Sequence, residues 1–421
     1  MNQNKLPKDW KWVKITEVSD INPKLLRKDE IAKDLEIQFL PMKLVEAIIN
    51  KIHLTETRKF GDVLKGSYTP FIDNDIIFAK VTPCMENGKI AIVKNLKNGI
   101  GFGSSEFHVL RSNKEISNKY LFHYIIQDRF RNEAANEMTG AVGLRRVPKQ
   151  FIENSQIPLP PLETQNLIVS KIEELFSEVE KGVEDLKTAQ KQLKTYRQSV
   201  LKYAFEGKLT NKKVKDGVLP KGWNIVKLDN VADITSSKRI FQNEYVSNGV
   251  PFYRTKEVKE LSEGKELTIE LFISNQKYEE IKSKYKIPQI GDILLSAVGT
   301  IGISYVIKDE KPFYFKDGNL MWFRDLKNIN SYYLHYGLIN FIKNGQGANT
   351  SGSAYNALTI STMKDFNFPL PSNEEQHQIL QEIESRLSVA DKMEESISQS
   401  LLQAEALRQS ILKKAFSGKL V

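Results

Sequence analysis

Two stretches decide the fold: IPLPPLETQNLIVSKIEELFS (Ile157–Ser177) and FPLPSNEEQHQILQEIESRLS (Phe368–Ser388). They lie 211 positions apart in a chain of 421 residues. With that offset, 157–210 falls on 368–421 without a gap, and the likeness is greatest at the two ends. Pro158-Leu159-Pro160 matches Pro369-Leu370-Pro371, and Gln165 matches Gln376. RQSVLKYAFEGKL (Arg197–Leu209) matches RQSILKKAFSGKL (Arg408–Leu420). Ahead of each lies a further pair, LPKDWKWVKITEVSDI (Leu6–Ile21) and LPKGWNIVKLDNVADI (Leu219–Ile234), identical at 9 of 16 positions. The chain is therefore a tandem duplication of a domain-sized unit, too long in period for a solenoid.

Hydrophobic spacing makes the end of each unit a long helix. Steps of four and three pick out Ile168, Ile172, Leu175, Val179, Leu186, Leu193 and Val200 in the first. In the second they pick out Ile379, Ile383, Met393, Ile397, Leu407 and Ile411. A sustained heptad seam belongs to helices that pack lengthwise on a partner helix. Proline precedes each helix, and Gly207 and Gly418 stand where a C-terminal cap belongs. At ~1.5 Å per residue each would run roughly 60–65 Å. Antiparallel pairing of the two is expected, with a head at each tip.

The expected organisation is a first head (1–156), a first spacer helix (157–210), a linker (211–218), a second head (219–367) and a second spacer helix (368–421). The fold class is α+β: two mixed heads, two long helices in an antiparallel coiled coil, and a pseudo-two-fold internal repeat. Inside the heads, NDIIFA (Asn74–Ala79) and GDILLSA (Gly291–Ala297) predict equivalent strands, followed by polar loops and a further strand.

Net charge is +9, and the two helices together hold 12 basic and 16 acidic residues, which leaves +13 on the rest. That excess points to a polyanion met by the heads. Base edges are read by donors and acceptors on loops or helices. The first head offers Lys80, Thr82, Arg145 and Arg146. The second offers Lys238, Arg239, Ser296, Thr300, Asn349, Thr350, Ser351 and Asn356. Trp10 and Trp223, at equivalent positions, read as shared core packing rather than base stacking.

Catalytic signatures are missing. GDVLKGS (Gly61–Ser67) lacks the Lys-Ser/Thr ending of a phosphate loop, and GFG (Gly101–Gly103) is too short for a cofactor turn. Cys84 is the only cysteine, so an internal disulfide and a thiolate metal cluster are both excluded. The five histidines are scattered, and no apolar run approaches a membrane span. The expectation is a non-catalytic, metal-free, cytoplasmic protein.

The order of head, PLP-x-x-E-x-Q-type helix ending in AFxGKL, second head and second such helix resembles the specificity subunit of type I restriction–modification systems. FAKVTPCMENGK and GSSEFHVLR in the first head resemble that family's target recognition domains. The resemblance implies that each head reads one half of a split site on double-stranded DNA, while the helices set the gap and dock two methyltransferase subunits. It places S-adenosylmethionine on those subunits, ATP and magnesium on motor–nuclease subunits, and no cofactor on this chain. A recognition subunit of a type IIB-like enzyme and a coiled-coil adaptor with two protein-binding heads remain as alternatives.

Overall fold

The computed structural model describes residues 6–25, 28–211, 213–215, 217–344 and 358–421. They form two compact units, 1–187 with 398–421, and 188–397. Each long helix is thus shared: Leu162–Phe205 and Asn373–Ala415 both contribute a portion to each unit.

In the first unit, Lys11–Lys14 pairs antiparallel with Gln156–Leu159, just ahead of the long helix. One four-stranded antiparallel sheet has the order Ser19–Ile21, Phe107–Ser112, Ile76–Ala79, Ile90–Ile92. A second has the order Glu56–Lys59, Glu36–Leu40, Ile100–Gly103, Thr69–Ile72, its middle pair parallel. The second unit repeats this plan. Asn224–Lys227 pairs with Asn367–Leu370, and Asp233–Thr235, Leu320–Arg324, Ile293–Ser296 and Ser304–Val306 form the equivalent antiparallel sheet. A smaller mixed sheet again contains one parallel pair, Phe252↔Tyr314.

The GFG motif proves to be part of the strand Ile100–Gly103. A Cβ on Gly103 would stand 2.6 Å from the Leu40 carbonyl oxygen, and one on Gly101 would overlap the Phe71 ring. Those glycines let neighbouring chain segments approach closely.

The repeated motifs join helix to head. Gln165 is fully buried; its Oε1 accepts from the Ser117 amide (2.9 Å), and its Nε2 donates to the carbonyls of Glu115 (3.0 Å) and Pro160 (2.9 Å). Gln376 does the same with the Asn330 amide (2.7 Å) and the carbonyls of Asn328 (3.1 Å) and Pro371 (3.2 Å). Beside them, the Tyr120 and Tyr333 hydroxyls donate to the carbonyls of Pro158 and Pro369. The phenylalanine of each AFxGKL motif packs on the same tyrosine, Phe416 on Tyr120 and Phe205 on Tyr333.

Each of those helices ends identically. Gly207 and Gly418 have φ of +72° and +68°, and Lys208 and Lys419 bond back to the carbonyls of Tyr203 and Lys414. This is the Schellman cap that glycine permits. A Cβ on Gly418 would overlap Pro7, and one on Gly207 would overlap Pro220.

The helices run antiparallel within each unit. In the first, Arg408 of the second helix reaches Glu180 of the first (3.0 Å), its guanidinium over Phe176. In the second, the equivalent Arg197 reaches Asp391 (2.7 Å), the counterpart of Glu180, and Glu394 (2.8 Å). Ile168, Ile172, Leu193, Val200, Ile379, Ile383 and Ile411 of the expected seam are buried, and Leu175, Val179, Leu186 and Ile397 are half-buried. Met393 and Leu407 correct the expectation, since they stand 53% and 51% exposed. After Ile397 the inward face instead takes Leu401, Ala404, Arg408 and Ile411. A straight helix turns once per 3.6 residues and drifts out of a strict heptad phase.

The two heads differ in one buried polar centre. In the first, Asp75 receives both Nε and Nη2 of Arg111 (2.8 and 2.7 Å) and the Ile72 amide. In the second, the equivalent Asp292 accepts the Gln289 amide (2.9 Å) and the Trp322 indole (2.8 Å) on one oxygen, Oδ2. Arg324, counterpart of Arg111, turns to Asp233 instead. Without that cation, burial pushes the Asp292 carboxyl pKa up. A raised pKa in the folded chain favours folding below the unfolded carboxyl value and loses that benefit as pH rises. At neutral pH the carboxylate is therefore a deficit. Asp292→Asn keeps one oxygen for both donors and removes the charge, so it is expected to stabilise the second unit by about 1 kcal/mol at pH 7. Urea unfolding at pH 7 and pH 3.5 checks this; an equal gain at both would rule out the charge as cause.

Candidate nucleic-acid interface

The four candidates of the first head converge. The strand Ile76–Ala79 delivers Lys80 and Thr82 to the loop 139–147. There the Val147 amide donates to the Lys80 carbonyl (2.8 Å) and the Thr82 amide to the Arg145 carbonyl (3.0 Å). His108 fixes the base of the loop through Nε2 and the Val147 carbonyl (2.9 Å), and burial lowers its pKa. His108 therefore ties the loop to its strand from a buried position.

The side chains themselves are partly committed. Arg146 forms a two-pronged ion pair with Glu106, Nε to Oε2 and Nη2 to Oε1, both 2.8 Å. That guanidinium holds the Glu106 carboxyl below its ordinary pKa. Arg145 donates to the carbonyls of Ala135 (3.1 Å) and Met138 (3.0 Å), and the Thr82 hydroxyl donates to Glu86 (2.9 Å). Both arginines, expected as base readers, brace their own loop. The Lys80 amine makes no ion pair among the described residues.

In the second head the corresponding connection is present, because the Leu358 amide donates to the Ala297 carbonyl (3.1 Å) just as Val147 does to Lys80. Ser296 corrects the expectation: it is fully buried, its hydroxyl donating to the Thr300 carbonyl (2.6 Å) and accepting from the Ile303 amide (2.8 Å). It shapes the turn and is shielded from a ligand. Thr300 is exposed at that turn. Asn349, Thr350, Ser351 and Asn356 lie outside the described residues.

Lys238 and Arg239 are exposed on one edge, where Arg239 pairs with Asp317 (2.8 Å) and Ser236 bonds the Leu320 carbonyl. The neighbouring Ala297 amide donates to Asn319, so the turn bearing Thr300 abuts this segment. Sequence reasoning missed Tyr285, which is 48% exposed with the Lys238 ammonium 4.6 Å above its ring. It opens a cleft of about 680 Å³ whose rim includes Lys282, Lys286, Gln289 and Arg324. The signal was available: KSKYKIP alternates lysines with one aromatic, the composition of a surface that meets phosphates and bases.

Among the described residues no group of three or more His, Cys, Asp or Glu could hold a metal ion. None of their helices is long and apolar enough to cross a membrane. Trp223 is buried in the second core, and Trp10 packs on the first.

Two copies of one sheet order, each joined to antiparallel helices and carrying loops of unlike sequence, define a duplicated scaffold. A family model of the type I restriction modification DNA specificity domain matches residues 7–187 and again 220–403, and the chain belongs to that family. The EcoAI specificity subunit of Escherichia coli is 43% identical over 173 residues, 41% of this chain and 29% of that one. This match thus spans less than a third of that relative. The StySPI specificity subunit of Salmonella potsdam is 24% identical over 439 residues, covering 100% of this chain and 91% of its own. Among solved structures, a chain from work on assembly and conformational transition of the type I R-M system aligns with a TM-score of 0.79 at 24% identity, over 99% of both chains. The HsdS subunit of Thermoanaerobacter tengcongensis aligns at 0.64, also at 24% identity and over 99% of both. These two likenesses establish the fold.

Proposed function

We propose that this chain is the DNA-sequence-recognition subunit of a type I restriction–modification complex and performs no catalysis itself. Each head reads one half of a bipartite duplex site. The paired helices set the unread gap and dock two methyltransferase subunits, which bring S-adenosylmethionine; motor–nuclease subunits bring ATP and magnesium. The chain works in the cytoplasm. One observation carries this reading: the frame is duplicated down to Gln165/Gln376, Arg408/Arg197 and the glycine caps, while the residues at the loops differ. Two readers of unlike half-sites need that combination.

The test is to map methylated adenines in a host carrying this chain with its methyltransferase partner, then to measure binding of the resulting duplex. A two-part motif is expected, with affinity falling about 10³- to 10⁵-fold between 50 and 200 mM salt if six to ten phosphates are neutralised. A single uninterrupted motif, or salt-insensitive binding, would refute the reading. An adaptor with protein-binding heads would give no duplex binding at all.

A further inference from the structure

With both arginines exposed but bonded back to the body of the head, the loop of the first head presents an apolar tip. Ala141, Val142, Gly143 and Leu144 close a tight turn through the Leu144 amide and the Ala141 carbonyl (2.9 Å). Gly143 has a φ of +82°, the sign a type II turn requires at its third residue. Gly140 has a φ of +119°, and a Cβ there would stand 3.0 Å from the Leu144 carbonyl oxygen. The base is pinned by reciprocal bonds between Thr139 and Arg146 (3.0 and 2.8 Å), by the Arg146–Glu106 pair and by His108.

The turn therefore holds Val142 99% exposed and Leu144 57% exposed. Scattered apolar residues on a surface need no explanation. Two of them at the apex of a turn braced from three sides, beside Lys80, whose amine makes no ion pair among the described residues, do. Flexible polar residues would serve a mere connection.

We infer that the Val142–Leu144 tip enters the major groove and reads thymine C5-methyl groups, an inference that rests on the recognition role proposed above. The methyl is the one apolar mark in that groove, and it separates A·T from T·A and from both G·C orientations. Lys80, at the foot of the same loop, is placed to meet a phosphate. The arginines contribute stiffness, so that the tip is presented without a large ordering cost on binding.

The experiment uses the assembled methyltransferase complex and the duplex it methylates, with thymines replaced one at a time by deoxyuridine. Affinity is read by fluorescence anisotropy. In one half-site, loss of a single methyl is expected to weaken binding about fourfold, the worth of one buried carbon. The double variant V142S/L144S should bind the thymine duplex roughly tenfold less tightly, a loss in the range of one mismatched base pair. It should no longer respond to uracil at those positions, and the other half-site should respond as before. Both residues are exposed, so the unfolding midpoint of the variant should match the parent. A parent complex indifferent to uracil throughout that half-site, or a variant that keeps the response, overturns the inference while leaving the recognition role intact. A complex with no preferred sequence overturns both.

Discussion

Gln165→Leu should lower the unfolding free energy of the first unit by about 3–5 kcal/mol, and Gln376→Leu should do the same to the second. Leucine conserves the volume but cannot bond. It strands the Ser117 amide and the carbonyls of Glu115 and Pro160 at a fully buried site. Each orphaned buried group costs roughly 1–3 kcal/mol. The loss should be local: amide hydrogen exchange at Ser117 accelerates in one variant and at Asn330 in the other. Gln165→Glu, which sets a carboxylate oxygen against those two carbonyls, should cost at least as much as leucine at pH 7. A loss below 1 kcal/mol for the leucine variants would mean that the repeated glutamine is not what ties helix to head.

Acid should weaken both units between pH 6.5 and pH 5. Burial pushes the His123 imidazole down to about 4, and does the same to His335. His123 Nδ1 is buried without a hydrogen-bond partner, with Lys119 and Glu173 as the charges near it, while His335 Nδ1 meets the Ser304 hydroxyl (2.9 Å). A pKa depressed on folding contributes stability above the unfolded value near 6.5, and that contribution is lost as pH falls toward the folded value. By pH 5 the loss is about 2 kcal/mol for each histidine. Urea unfolding at pH 7.5 and pH 5.0 measures the total. His123→Phe and His335→Phe should each flatten their share of the slope; an unchanged slope in both would place the acid sensitivity elsewhere.

Much of this architecture could be read from the repeat, because the residues that recur are those that close the helix-to-head joint. Pro158, Gln165, Arg197, Phe205 and Gly207 recur with their counterparts since each has a partner that tolerates few alternatives. The second sheet of each head was not legible. Its strands are short, such as Thr69–Ile72 and Phe272–Ile273, and their pairing is fixed by tertiary contact rather than by local pattern. The seam was legible at Ile168, Ile172, Ile379 and Ile383, but a strict heptad carried it one position astray at Leu407. For the candidate residues, the partners of their side chains were not legible. Nothing in LRR tells that Arg146 will find Glu106, forty residues earlier, or that Ser296 will turn inward to hold its own bend.

Pro7 lies against Gly418 in the first unit as Pro220 lies against Gly207 in the second, where residues 208–219 join the pair. The same contact recurs at both helix ends, so proline against glycine closes helix on head in each unit. The Trp10 and Trp223 amides donate back to the carbonyls of those prolines (3.1 and 3.2 Å) while their rings pack on the two cores, so each head grips its helix end by one and the same short hook.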